Sequence, residues 1–283
     1  TNVNEVPTAL ALSSSAVAEN AASGTTVGAL STTDVDAGDT FTYTLVSGTG
    51  STDNASFAIS GANLVTAAVF NFETKSSYAV RVRTADAGGL TFDRELTITV
   101  TNVNEIPTDI ALSASTVAEN VAANTVIGTL TTTDVDASNT FTYTLVSGSG
   151  DTDNAAFTIT GADLTINAIP NFEVKSSYTV RIRTTDQGTL SFEKAFTITV
   201  TNVNEVPTAL ALSVSAVAEN AVSGTTVGAL STTDVDAGNT FTYTLVSGTG
   251  STDNASFAIS GANLVTAAVF DFETRTSYSA RVR

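Results

Sequence analysis

The side chains of this 283-residue chain that can do chemistry are mainly carboxylates, and they recur at fixed places in turns. Carboxylates gathered in loops repel one another unless a cation binds between them. Calcium suits such a set, because it takes about six to eight oxygen ligands from carboxylates, amides and backbone carbonyls. The pattern therefore predicts sites for a hard divalent cation, calcium or magnesium. The recurring acidic residues include Glu19, Glu73, Glu105, Asp134, Asp136 and Asp186.

The composition excludes several kinds of active site. Without Cys or His, the chain has no thiol nucleophile, no disulfide, no Cys/His metal site and no Ser–His–Asp triad. The net charge of −17, from 28 acidic and 11 basic residues, argues against binding to nucleic acid. With no paired carboxylates in a plausible cleft and no phosphate-binding glycine loop, we expect no enzyme. No apolar run reaches the roughly 20 residues of a membrane helix, so we expect no membrane insertion.

The sequence repeats with a period of 100 residues. The segment TNVNEVP at 1–7 returns as TNVNEIP at 101–107 and as TNVNEVP at 201–207. This period is too long for a solenoid and suits one independently folding domain per repeat. The first and third repeats differ at only eight of 83 aligned positions, which indicates a window on a longer tandem array. We therefore expect domains at 1–100, 101–200 and 201–283, the third incomplete.

Each repeat predicts a series of short β-strands. Segments such as 40–46 (TFTYTLV) and 78–83 (YAVRVR) alternate apolar and polar residues, and turn-forming clusters such as 47–54 (SGTGSTDN) separate them. Seven short strands per roughly 100 residues predict an all-β fold of tandem Greek-key sandwiches, the third without its last strand. In repeat 1 the predicted strands are 8–13, 24–33, 40–47, 56–60, 62–69, 77–85 and 91–101. The predicted core is Phe41, Tyr43, Leu45, Phe57, Ile59, Leu64, Tyr78, Val80, Val82, Leu96, Ile98 and Val100.

Five short motifs occur in the same order in each repeat, except where the third repeat stops. In repeat 1 they are Ala18-Glu19-Asn20, Asp34-Val35-Asp36-Ala37-Gly38, Asn71-Phe72-Glu73, Asp86-Ala87-Gly88 and Asn104-Glu105-Ile106-Pro107. Together they make each repeat similar, from end to end, to the cadherin-like domains of large bacterial surface or secreted proteins. The resemblance implies tandem seven-stranded cadherin-like (Ig-like) sandwiches, Ca²⁺ as the cofactor and an extracellular location, on the cell surface or secreted.

The resemblance also implies ligands for up to three calcium ions at each junction between repeats. At the first junction they are Glu19, Asn71, Glu73, Asn104, Glu105, Asp134, Asp136 and Asp186, with carbonyls of Val103 and Ile106. At the second junction they are Glu119, Asn171, Glu173, Asn204, Glu205, Asp234 and Asp236. An isolated ion at the N-terminal end would use Asn4, Glu5, Asp34, Asp36 and Asp86. The six carboxylates of the first junction would balance the charge of three calcium ions.

The motifs depart from the family pattern at three residues, and one further position lies past the last residue of the sequence. Asn71 and Asn171 stand where the family usually has Asp. The outermost ion of each junction, which at the first junction would be held by Glu19, Asn71, Glu73 and Glu105, is therefore expected to bind weakly or to be missing. Ser138 replaces a glycine, which alters that turn without removing a ligand. The innermost ion of a junction would be held by the linker and the downstream repeat, at the first junction by Asn104, Asp134, Asp136 and Asp186. The counterpart of Asp186 in the third repeat lies beyond Arg283, so the innermost ion of the second junction is also expected to bind weakly.

Other polar motifs are interpreted as structural. The turn of Asp151, Asp153 and Asn154 is expected to be a turn and not a metal site. Asp93-Arg94-Glu95 imitates a family motif but falls in the last predicted strand. The segments 54–56 and 254–256 are glycosylation sequons only in a host that glycosylates. The DVDAG motif resembles the start of an EF-hand loop but lacks its final Glu and flanking helices.

The predicted function is that of a calcium-rigidified extracellular repeat array, serving as a structural stalk, an adhesin or a filament segment. One alternative is an adhesive binding module for carbohydrate or for a cadherin-like partner. Another is a filament subunit that polymerises by donor-strand complementation. The expected partners are adjacent repeats of the same long chain, neighbouring copies in a filament or cell-surface ligands.

Overall fold

The computed structural model describes residues 3–283, and its regular structure is nearly all β-strand. Short 3-10 helices occur at Asn54–Ser56, Asn154–Ala156 and Asn254–Ser256. No helix within residues 3–283 has the length and apolar character needed to cross a membrane. The strands of the first repeat are β1 (Ala9–Leu12), β2 (Ala16–Ala18), β3 (Thr26–Thr33), β4 (Thr42–Leu45), β5 (Phe57–Ser60), β6 (Asn63–Thr66), β7 (Ser77–Ala85) and β8 (Thr91–Thr101).

The first repeat is a sandwich of two four-stranded sheets, with strand orders β1-β3-β6-β5 and β2-β8-β7-β4. The pairs are antiparallel except β2 with β8, which is parallel. The sequence predicted one strand at 8–13 and missed β2. Here the chain leaves the first sheet after Leu12 and joins the second at Ala16, so the opening strand is divided between the sheets.

The core of the first repeat consists of the inward-facing residues of both sheets. Seven predicted residues are buried, namely Phe57, Leu64, Val80, Val82, Leu96, Ile98 and Val100. Tyr43, Leu45, Ile59 and Tyr78 are only partly buried, at the margin of that core. Alternation within predicted strands missed Leu10, Val17, Val27, Leu30 and Phe70, which are also buried. The predicted strand 62–69 ends at Thr66, because the chain then bends and buries Phe70.

The second repeat has the same topology. Its sheets have the strand orders β13-β14-β11-β9 and β10-β16-β15-β12. The strands are β9 (Asp109–Leu112), β10 (Thr116–Ala118), β11 (Thr125–Thr133), β12 (Thr142–Leu145), β13 (Phe157–Thr160), β14 (Asp163–Ile166), β15 (Ser177–Thr185) and β16 (Ser191–Thr201). The parallel pair recurs between β10 and β16.

The third repeat forms its first sheet, of order β17-β18-β20-β19. Its strands are β17 (Ala209–Leu212), β18 (Thr226–Thr233), β19 (Phe257–Ser260) and β20 (Asn263–Thr266). In the region of the second sheet, the structure has an isolated bridge between Leu245 and Val282. In the first repeat β8 lies between β2 and β7, and residues 201–283 do not reach the position of its counterpart. Leu210 is 42% exposed, whereas the equivalent Leu10 is fully buried.

By internal contacts the chain divides into two compact units, and the division passes through the second repeat. The first unit comprises Thr1–Ala111, Leu130–Thr144 and Ile182–Lys194. The second comprises Leu112–Thr129, Leu145–Arg181 and Ala195–Arg283. All predicted ligands of the first junction therefore belong to the first unit, and all those of the second junction to the second unit. The domain boundaries at 100 and 200 remain a prediction from the repeat.

Candidate metal centre

Glu19 is the most buried carboxylate of the first junction, although glutamate is ordinarily a surface residue. It follows β2 directly and is only 2% exposed. Its Oε2 accepts the backbone N–H of Phe72 at 2.8 Å, and its Oε1 accepts that of Val103 at 2.9 Å. The Glu19 carboxylate thus bridges the loop before β7 and the linker after β8.

Two further predicted ligands join Glu19. Carboxylate oxygens of Glu19, Glu73 and Glu105 all lie within 4.8 Å of one another. The amide oxygen of Asn71 is engaged elsewhere, because it accepts the N–H of Thr74 at 2.7 Å in a local turn. The structure therefore brings together three carboxylate oxygens from a strand end, a loop and the linker.

Glu105 has one carboxylate oxygen that no donor in the described part of the chain satisfies. Its Oε2 is buried and has no hydrogen-bond partner within residues 3–283. Burial raises the pKa of Glu105; a hydrogen bond from Asn20 opposes this, and repulsion from Glu19, Asp136 and Glu73 adds to it. Six cations form ion pairs with other carboxylates, namely Lys75 and Arg275 with Asp53 and Asp253, Arg81 and Arg83 with Asp93, Arg183 with Glu193, and Lys194 with Asp109.

The aspartates of the second repeat complete the first junction. Asp136, which is 7% exposed, accepts the N–H of Glu105 at 2.8 Å and the side-chain amide of Asn102 at 2.7 Å. Asp186 accepts the side-chain amide of Asn104 at 2.9 Å. Asp134 accepts the N–H of Asp136 at 2.9 Å through Oδ1, while its buried Oδ2 finds no partner in the described chain. The linker is thus hydrogen-bonded on both sides by predicted ligands.

The second unit repeats this arrangement around the second junction. Glu119 is 2% exposed and accepts the N–H groups of Phe172 and Val203, at 2.9 and 2.7 Å. These two hydrogen bonds lower the pKa of Glu119. Its carboxylate clusters with those of Glu173 and Glu205. Like its counterpart in the first junction, Glu205 Oε2 is buried without a partner among the described residues.

The inner side of the second junction differs from that of the first. Asp236 accepts the N–H of Glu205 at 2.8 Å, and Asp234 accepts the N–H of Asp236 at 3.0 Å. The side-chain amide of Asn204 donates to the carbonyl of Glu205 at 3.0 Å, as Asn104 donates to that of Glu105 at 3.4 Å, but Asn104 also donates to Asp186. Asn171, like Asn71, is engaged in a turn and accepts the N–H of Val174 at 2.8 Å.

The N-terminal end holds a similar acidic group. Asn4 donates to Asp86 at 3.1 Å, and the N–H of Glu5 donates to Asp36 at 2.9 Å. Asp34 and Asp86 cluster with Asp39, which the sequence analysis did not single out. Asp39 is one of the eight positions at which repeats 1 and 3 differ, and that difference was the available signal.

Sequence reasoning also missed a cluster of carboxylates in the third repeat. Carboxylates of Glu219, Asp271 and Glu273 lie within 4.8 Å of one another, and all three residues are exposed. They occupy the positions of Glu19, Asn71 and Glu73. Asp271 restores the acidic residue usual in the family, so the motif comparison could have found this cluster.

The polar motifs interpreted as structural have local partners. Asp151 accepts the N–H of Gly148 at 2.9 Å, as expected of a turn residue. Asp153 accepts the N–H of Thr179 at 2.8 Å and also contacts Lys175. Asn54 donates to the carbonyl of Val46 at 2.9 Å and accepts the N–H of Arg81 at 2.9 Å. Ser138 keeps the turn of its glycine counterparts, at a φ of +66°.

Comparison with solved structures identifies the fold. No protein-family model matches the chain, and no curated protein matches it. The extracellular domain of protocadherin gamma B4 matches with 23% identity and a TM-score of 0.62, over 97% of this chain and 46% of that one. Extracellular cadherin domains 1–5 of protocadherin gamma B2 match with 20% identity and a TM-score of 0.63, over 100% and 57%.

A third match has nearly the same length as this chain. Domains EC22–24 of mouse cadherin-23 match with 22% identity and a TM-score of 0.61, over 92% of this chain and 86% of that one. The chain spans about half the length of the two protocadherin structures. At these identities the likeness shows the fold: the chain consists of tandem cadherin-like β-sandwiches, as the sequence predicted.

Proposed function

We propose that this chain is part of an extracellular repeat array in which calcium, bound at the junctions, fixes the orientation of adjacent repeats. The observation that carries the proposal is the buried Oε2 of Glu105, which has no hydrogen-bond partner in the described structure and belongs to a cluster of three carboxylates. A buried anionic oxygen without a donor is costly, and a bound cation removes that cost. The same arrangement around Glu205 supports the proposal independently.

The donor set fits calcium. The residues that would hold it offer carboxylate and amide oxygens, which are ligands of a hard cation. On one side of the linker they are Glu19 and Glu73, within it Glu105, and beyond it Asp134, Asp136 and Asp186. When bound, calcium supplies positive charge and oxygen coordination at this place. The chain supplies ligands from two consecutive repeats, so that the ion holds both of them.

Rigidity follows from this distribution of ligands. Separate cores joined by a short linker are free to swing unless their interface is large and apolar. Coordination of one ion by groups from both repeats restricts that motion. Binding to the ordered state also stabilises it, by RT ln(1 + [L]/Kd). A stalk, an adhesin or a filament segment would then be stiff where calcium is abundant, as it is outside cells.

Isothermal titration of the metal-free chain tests this proposal. We expect saturable calcium binding with more than one ion per chain, because the two junctions lie in different units. Magnesium should bind more weakly, since it requires a smaller and more regular octahedral site. A chain that binds neither ion at millimolar concentration, while remaining folded, would contradict the proposal.

Asn71→Asp is expected to raise the calcium affinity of the first junction several-fold. An aspartate adds charge and a second oxygen beside Glu73, and greater ligand charge strengthens calcium sites. The third repeat provides the precedent, because Asp271 clusters there with Glu219 and Glu273 while still accepting the N–H of Glu273 at 3.0 Å. Titration of the variant and the unaltered chain measures the change. An unchanged or lower affinity would show that this position lies outside the calcium shell.

A further inference from the structure

Asn20, Asn120 and Asn220 share an uncommon backbone conformation. Each follows the glutamate of the first motif of its repeat, which is buried at Glu19 and Glu119 and exposed at Glu219, and their φ angles are +57°, +62° and +58°. Asparagine is among the few residues other than glycine that adopt this left-handed region readily. The N–H of Asn20 donates to the carbonyl of Phe70 at 3.0 Å, and that of Asn220 donates to Phe270 at 2.9 Å. The backbone therefore fixes where each of these side chains begins.

In the first two repeats the asparagine side chain contacts the linker glutamate. Nδ2 of Asn20 donates to Oε1 of Glu105 at 2.6 Å, across 85 residues of sequence. Asn120 donates in the same way to Oε1 of Glu205. The N–H of Glu105 is itself held by Asp136, so backbone and side chain of Glu105 are both restrained. Its other oxygen, Oε2, is the one left without a partner among residues 3–283.

We infer that Asn20 and Asn120 are positioning residues, which fix the linker glutamate so that its free oxygen faces a cation. This inference rests on the proposed function. A glutamate side chain has several rotatable bonds, and one hydrogen bond to Oε1 removes much of that freedom before the ion arrives. The donor is a neutral amide, so it orients the carboxylate without cancelling its charge. A lysine or arginine in the same place would compete with the ion.

The third repeat provides a matched control within the same chain. Asn220 has the same φ and the same backbone hydrogen bond as Asn20. Residues 1–283 stop before the position that corresponds to Glu105 in the third repeat, so in a chain of these residues Asn220 has no linker glutamate to position. Glycine adopts the left-handed conformation without strain, so Asn→Gly removes the side-chain contact and keeps the backbone.

The experiment compares the double variant Asn20→Gly/Asn120→Gly with the single variant Asn220→Gly, in the full chain with calcium as the only ligand. We expect the double variant to bind calcium about tenfold more weakly, as is typical when a group that orients a metal ligand is lost. Asn220→Gly should bind as the unaltered chain does. In EDTA the melting temperatures of both variants should lie close together, which a purely structural role of Asn20 and Asn120 would not produce.

Three outcomes decide the matter. A double variant with unaltered affinity would overturn the positioning role while leaving the proposed function intact. An equal loss of affinity in Asn220→Gly would show that the effect does not depend on the contact with the linker glutamate, which also overturns the positioning role. If the unaltered chain binds no calcium, the proposed function fails, and this inference fails with it.

Discussion

Removal of calcium with EDTA is expected to lower the melting temperature of the chain by about 10 °C and to loosen the first two repeats relative to each other. The stability change follows from linkage, since an ion at one hundred times its Kd contributes about 2.7 kcal/mol. The sandwiches themselves should persist, because the clustered carboxylates lie outside the apolar core of Leu64, Val82 and Ile98.

The absence of cysteine makes the motion directly measurable. The substitutions Ser60→Cys and Thr160→Cys allow one spin label to be attached to each of the first two repeats, at exposed strand ends remote in sequence from the acidic motifs. Pulsed electron paramagnetic resonance should give a narrow distribution of the distance between the two labels with calcium and a broad one with EDTA. The pair Ser60→Cys and Thr97→Cys, both within the first repeat, is the control and should not respond. Superimposable distributions for the first pair would disprove calcium-dependent rigidity.

Glu105→Gln is expected to weaken calcium binding at the first junction by about a hundredfold or more. The substitution keeps the size of the side chain but removes the charge of the linker carboxylate, which clusters with Glu19 and Glu73. Loss of a group that merely orients a ligand typically costs about ten- to a hundredfold in affinity, so loss of a charged ligand should cost at least as much. Calorimetric titration measures the change.

Asp151→Ser is the matched control for this variant. It removes one negative charge, as Glu105→Gln does, and it introduces the residue that the other two repeats already have in this turn, at Ser51 and Ser251. Ser51 accepts the N–H of Gly48 at 3.1 Å, as Asp151 accepts that of Gly148 at 2.9 Å. The turn should therefore survive. Equal affinities in the two variants would mean that net charge, and not the linker site, governs calcium binding.

The sequence predicted the sandwich because long strands such as β7 and β8 alternate clearly between apolar and polar residues. It missed β2, which has only three residues and lies in the other sheet from β1, too short a segment for alternation to register. Phe70 was missed because it lies just beyond β6, in a loop whose bend decides its burial. Burial of a loop residue depends on tertiary contacts that local periodicity does not report.

The candidate centre was predictable as a set of residue types and not as a set of contacts. The recurrent motifs identified Glu19, Glu73 and Glu105, and the structure brings these three together. The role of Asn20 was hidden, because it depends on a contact across 85 residues and on which oxygen of Glu105 is left free. The sequence marked Asp39 only as a difference between repeats 1 and 3, and its place beside Asp34 and Asp86 depended on the loop conformation.

The parallel pairing of β2 with β8 also sets the order in which the parts of a junction form during synthesis. The N–H of Glu19 donates to the carbonyl of Thr101 at 3.1 Å, and Val103 donates to Glu19 itself. The first buried carboxylate is therefore held in place by the last strand of the same repeat, more than 80 residues later in sequence. Because these partners lie at and beyond the end of β8, Glu19 can be fixed in place only after the whole repeat has been synthesised. Assembly of the carboxylate cluster therefore requires a completed sandwich.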